Sequence, residues 1–135
     1  MVSAWEAISN RRSQDRYRIS LQASVSLVEN NTSDRQWPSV LARTTEISLD
    51  GIALIVPSTH MGRHDLREGR HLLRIILAVS TSSNVAIMAR LIHFGPFDTG
   101  QAEPSYLIGV KIEQLGAVDC LLYAEFIRSL AKKKG

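Results

Sequence analysis

The sequence predicts a mainly β domain, a six-stranded antiparallel β-barrel followed by one C-terminal α-helix. Two patterns carry this reading. Apolar and polar residues alternate along a series of short runs, as they do in strands with one buried face. From about residue 116 onward the apolar period lengthens to that of a helix. A chain of 135 residues is the size of one domain and can bury a core. Closing its sheet on itself removes exposed strand edges.

The elements follow in order. Residues 1–17 show no clean period and form an arm, with a short helix possible over Ser3–Ser9. From Arg18 to Leu27, Ile19, Leu21, Ala23, Val25 and Leu27 alternate with polar residues, a first strand. Asn30–Asp34 is turn chemistry, and Pro38 leads into a second strand, Ser39–Ile47. Gly51–Val56 is a third, ended by Pro57, and Ser58–Gly69 reads as a polar loop. His71–Val79 and Val85–His93 form the fourth and fifth strands around the turn Ser80–Asn84. A loop containing Gly95, Pro96, Gly100 and Pro104 leads to the sixth, centred on Tyr106–Glu113. Val118, Leu122, Phe126 and Leu130 then recur every four residues, with Leu121 and Ile127 alongside, Asp119 near the start and Arg128 and Lys132 near the end of a helix. The expected organisation is an arm over 1–17, a barrel over 18–115, and a helix with a basic tail over 116–135.

Composition excludes several classes. A net charge of +3 is small for a non-specific nucleic-acid binder, so the placement of the positive charge matters more than its total. Aromatic residues are 6% of the chain and do not recur along strand faces, which argues against a single-stranded nucleic-acid barrel of the OB type. Cys120 is the only cysteine, so neither an intramolecular disulfide nor a cysteine-based zinc site is expected. It sits in an apolar helical stretch and reads as packing rather than a nucleophile. His60 and His64 share a loop with Asp65, which is too little for a metal site. No phosphate loop, nucleophile elbow or carboxylate pair is present, so the chain reads as a non-enzyme with no cofactor. No run reaches the ~20 apolar residues of a membrane span, and Met1–Asn10 lacks the pattern of a secretory leader. A cytoplasmic location without membrane insertion is the expectation.

Two short elements carry binding chemistry. Arg11 directly precedes Arg12-Ser13-Gln14-Asp15-Arg16, an R-x-x-x-R spacing. A guanidinium offers a planar fork that matches phosphate and a face that stacks on flat rings. Several on one arm can fold over an anionic nucleotide, although the spacing is common and, on the arginines alone, a solvated arm is the better reading. The second element is the turn Glu46-Ile47-Ser48-Leu49-Asp50-Gly51, between two strands. Glu46 offers a carboxylate to the amino or imino edge of a purine, and Ser48 offers a hydroxyl. Gly51 permits a positive φ or the close approach of another backbone or ligand.

Both elements, in this order on a barrel pattern, resemble the PilZ domain, the bacterial receptor module for cyclic di-GMP. That family is marked by R-x-x-x-R before the first strand and by (D/N)-x-S-x-x-G between the second and third. Tyr106-Leu107-Ile108-Gly109-Val110-Lys111-Ile112 is similar to its closing glycine-containing strand. The resemblance runs from about Arg11 to Glu113. It departs at one position, where Glu46 stands in place of Asp or Asn.

The resemblance implies a cytoplasmic second-messenger receptor whose ligand is cyclic di-GMP and which signals to a protein partner. It implies that Arg12 and Arg16 clamp phosphate and a guanine edge, and that Ser48 and Gly51 line the pocket floor with Glu46 near the base. Arg11 would accompany a stacked ligand dimer. Arg90, on the outer face of the fifth strand, would stack on guanine. Two rivals stay open: a PilZ-like adaptor that binds a protein without nucleotide, and a nucleic-acid-binding barrel.

Overall fold

The computed structural model describes residues 15–28, 39–62 and 64–134. Nine strands are described: β1 (Tyr17–Arg18), β2 (Gln22–Leu27), β3 (Ser39–Ile47), β4 (Gly51–Val56), β5 (His60–Met61), β6 (His64–Asp65), β7 (Leu72–Ala78), β8 (Asn84–Phe97) and β9 (Ser105–Gln114). One helix, α1 (Ala117–Lys134), follows. Six strands close an antiparallel barrel in the order β2-β3-β4-β9-β8-β7, with β7 returning to β2. β1 lies outside this ring, paired with β3.

The alternation read from the sequence is the alternation that is buried. Ala23, Val25 and Leu27 point inward, as do Ile52, Leu54 and Val56. Leu73, Ile75 and Leu77 on β7 and Ile108, Val110 and Ile112 on β9 complete the same core with β8. Directly paired residues on antiparallel neighbours share a face, so the six inward rows meet in the barrel centre.

Four expectations are corrected. The first strand is broken: β1 pairs Arg18 with Glu46, and β2 begins at Gln22. Thr44 explains how the break is tolerated. Its buried hydroxyl accepts from the Leu21 amide at 2.8 Å and donates to the Ile19 carbonyl at 2.6 Å, satisfying two groups the ladder leaves. Thr44→Val keeps the shape and orphans both, so we expect a loss of about 1–3 kcal/mol in urea unfolding.

The polar loop Ser58–Gly69 contains the hairpin β5–β6, which buries Met61 and Leu66. Two isolated apolar residues among polar ones carry no readable period.

The fifth strand continues past His93 to Phe97, through Gly95 and Pro96. Beyond Leu91, whose amide still donates to the His71 carbonyl at 2.9 Å, β8 pairs with β9 alone, and a proline is tolerated on such a strand edge.

The helix buries only part of the expected stripe: Ile127 is in the core and Phe126 and Leu130 pack against it, but the stripe's N-terminal end faces solvent. Tyr123 is 0% and Ile127 3% exposed, whereas Val118 and Leu121 are 69% and 68% exposed. A row of every fourth residue drifts about 40° per step around a helix, so Val118 and Leu130 cannot share one face. The seat is fixed by polar anchors: the Asp119 carboxylate accepts from the Ala86 amide at 3.1 Å, and Tyr123 reaches the turn after β3. Cys120 is half-buried on this helix, and burial pushes its thiol pKa up, away from thiolate chemistry. No helix among the described residues is long and apolar enough to cross a membrane.

Candidate functional site

The site begins with a bulge in β3. Arg43 pairs with Ile55 and Thr44 with Leu54, but the next partner of β4 is Glu46, opposite Ala53. Thr45 is the extra residue. Ala42 and Thr44 face the core, so strict alternation would send Glu46 inward as well. The bulge resets the phase: Ile47 takes the buried position and Glu46 turns out. There its Oε1 accepts from Arg16 Nη1 at 3.3 Å. The two sequence elements, separated by |i−j| of 30, thus meet across the β1–β3 edge.

Arg18 lies directly opposite Glu46 in the ladder. A surface cavity of about 430 Å³ is lined by Arg16, Tyr17, Arg18, Glu46, Leu130 and Lys133. Three cations there face one carboxylate, so the cavity favours an anion. The Arg16–Glu46 pair is solvent-accessible and holds less than about 1 kcal/mol. Arg18 and Lys133 were not singled out from the sequence. The signal available was the basic C-terminal run, but only the seating of α1 brings its end to β1.

The remaining motif residues build the turn. Ser48 is 1% exposed. Its hydroxyl donates to Asp50 Oδ1 at 2.7 Å and accepts from the Gly51 amide at 3.1 Å. Its own amide donates to the Gly51 carbonyl at 2.9 Å. Gly51 is required by crowding: a Cβ there would lie 2.9 Å from the Val110 carbonyl oxygen. Its φ is not in the left-handed region, so of the two reasons for a glycine the close backbone approach is the operative one. Next to it, the Ile112 amide bonds the Asp50 carbonyl at 2.9 Å and locks the turn onto β9.

The helix holds the same turn from beneath. Tyr123 Oη donates to the Ser48 carbonyl at 2.6 Å. Burial, with the Asp50 carboxylate adding to it, pushes the Tyr123 phenol pKa up. Below about pH 10 the phenol is neutral in both folded and unfolded chains. Above that the unfolded chain loses the proton first, so folding stability falls, by up to about 1.4 kcal/mol per pH unit. Urea unfolding from about pH 9 to pH 11.5 should show this slope, and Tyr123→Phe should flatten it.

Arg90 on β8 stands apart from Arg16, which directly precedes β1, with β3, β4 and β9 between the two strands. Its Nε and Nη2 donate to the Glu113 carboxylate at 3.2 and 3.1 Å, and Nη1 donates to the Arg70 carbonyl at 3.2 Å. These bonds hold the guanidinium by its edges. It shares one outward row with Lys111 and Gly51. Arg11 and Arg12 lie outside the described residues, as do the short helix expected over Ser3–Ser9 and the turn at Asn30–Asp34. Among the described residues no group of three or more His, Cys, Asp or Glu is placed to hold a metal ion.

Comparison with known folds agrees with this architecture. The PilZ domain of YcgR from Escherichia coli, solved with c-di-GMP, is 14% identical at a TM-score of 0.61, over 90% of this chain and 93% of that one. The inhibitor of motility MotI/DgrA of Bacillus subtilis is 12% identical at a TM-score of 0.57, over 88% of this chain and 48% of that one. PlzA of Borreliella burgdorferi, solved in complex with c-di-GMP, is 7% identical at a TM-score of 0.58, over 97% of this chain and 57% of that one. The chain thus spans about half the length of the last two proteins and nearly all of the YcgR domain. A sequence comparison with curated proteins finds no match. The family model of the PilZ domain matches residues 10–129, spanning the arginine arm, the bulged turn and the seated helix, and the chain belongs to the PilZ domain family.

Proposed function

We propose that this chain is a cyclic di-GMP receptor, a binding module rather than an enzyme, that passes its signal to a protein partner. The observation that carries the reading is the meeting of Arg16 with Glu46, which joins the end of the R-x-x-x-R arm to the Glu46–Gly51 turn over an anion-favouring cavity. Support comes from the family and from two similar folds solved with c-di-GMP.

In this reading Arg12 and Arg16 take the phosphates and a guanine edge, and Arg11 supports a second, stacked ligand. Ser48 and Gly51 act from below by fixing the turn that presents Glu46. Glu46 leaves Arg16 when phosphate arrives and accepts from the base. Arg90, held by its edges, offers its flat face to guanine. The arm orders around the ligand and alters the surface a cytoplasmic partner reads. No cofactor takes part.

Glu46 favours one rival, a nucleotide-free adaptor, because it already satisfies Arg16 where the family pattern has Asp or Asn. Calorimetric titration with cyclic di-GMP separates the two. Saturable heat supports the receptor, and silence at tens of micromolar ligand leaves the adaptor.

A further inference from the structure

The geometry points to a second ligand site, for a mononucleotide-sized anion with a flat ring, in the cleft between β8 and Thr59 with Leu66–Arg70. This cleft has a volume of about 470 Å³, within the range of small-molecule sites, and no carboxylate lines it. It is separate from the cavity beside Arg16, whose lining residues it does not share.

A bulge builds one wall. Leu91 pairs with Val110 and His93 with Gly109, leaving Ile92 as the extra residue. Ile92 is thrust outward, 53% exposed, beside the cleft. His93 lies next to two glycines: a Cβ on Gly95 would stand 3.7 Å from its Nε2, and one on Gly109 would stand 3.4 Å from its Cβ. Beside them Phe94 and Tyr106 stack at 5.4 Å and reach the same cleft. Flat and apolar groups along one wall suit a ring.

The other wall is cationic. Asp65 grips Arg67 through Nε at 2.9 Å and Nη2 at 2.7 Å, which fixes the guanidinium while its Nη1 donors remain. Gly69, with φ at 87°, turns the chain so that Arg70 lines the cleft as well. Among the described residues no carboxylate is within ion-pair distance of Arg70. One pre-set and one unpaired guanidinium suit a phosphate. Ring and phosphate sides together define a nucleoside monophosphate.

The test uses the full chain with Arg12 and Arg16 both replaced by alanine, which takes the phosphate clamp of the first site out of the measurement. Guanosine 5′-monophosphate is titrated by NMR, with inorganic phosphate and guanosine as partial probes. The expected result is saturable binding, weakened on the order of tenfold by Arg70→Ala and similarly by His93→Ala, with both partial probes weaker. Both side chains are surface groups, and unchanged thermal melts check that the variants fold. Absence of saturation at millimolar ligand overturns the proposal, as does equal binding by the Arg70→Ala and His93→Ala variants. Failure here leaves the cyclic di-GMP reading untouched, because the clamp of that site is absent from the measurement.

Discussion

Replacing Arg12 and Arg16 together by alanine is expected to lower the affinity for cyclic di-GMP by at least about a hundredfold. Each guanidinium donates charge-assisted bonds worth roughly 1.5–3 kcal/mol, so removing two costs about 3–6 kcal/mol. Arg16→Lys should fall between wild type and alanine, because it keeps the charge and loses the fork. Stability should hardly move: the Arg16–Glu46 pair is exposed and holds less than about 1 kcal/mol. Calorimetry gives the affinity and a thermal melt gives the control. A chain that loses binding without losing stability locates the effect in the ligand contacts.

Tyr123→Ala is expected to be the most damaging single substitution for folding, at about 3–5 kcal/mol in urea unfolding. The ring is fully buried, so its removal leaves a cavity that helix and barrel only partly fill. The loss also removes the donor on the Ser48 carbonyl, which is the link between α1 and the turn that presents Glu46. Tyr123→Phe isolates that link. It keeps the ring and should cost about 1–2 kcal/mol. If Tyr123→Phe costs nothing, the bond from helix to turn does not hold the turn, and the account of Ser48 as a positioning residue fails.

The strands were legible because a barrel strand has one face in the core and one in water. Val25, Leu54, Ile75, Ile87 and Ile108 all sit where alternation put them. What the sequence hid were the interruptions of that rule. A bulge is one unpaired residue, and Thr45 and Ile92 carry no local signature of it. Yet the first bulge decides that Glu46 faces solvent, and the second opens the cleft beside Arg70. The break after Arg18 was invisible for a similar reason: Ile19 and Leu21 keep the period, while the compensating hydroxyl sits far along the chain at Thr44.

The motifs were legible as spacings, but where the described members of them lie needed the fold. Gly51 was legible as a special position, and the structure shows that β9 crowds it. Ser48 read as a pocket group, and its hydroxyl is spent inside the turn. Lys133 read as part of a basic tail. Its arrival beside Arg16 and Arg18 depends on the face α1 buries, which is set by Tyr123 and Asp119 rather than by the four-residue row of apolar residues.

The most direct test is one calorimetric titration of cyclic di-GMP into the full chain, repeated with Arg12 and Arg16 replaced by alanine. Saturable heat at micromolar ligand, lost in the double variant, is the predicted result. No heat at tens of micromolar ligand, or the same affinity in both chains, would contradict it.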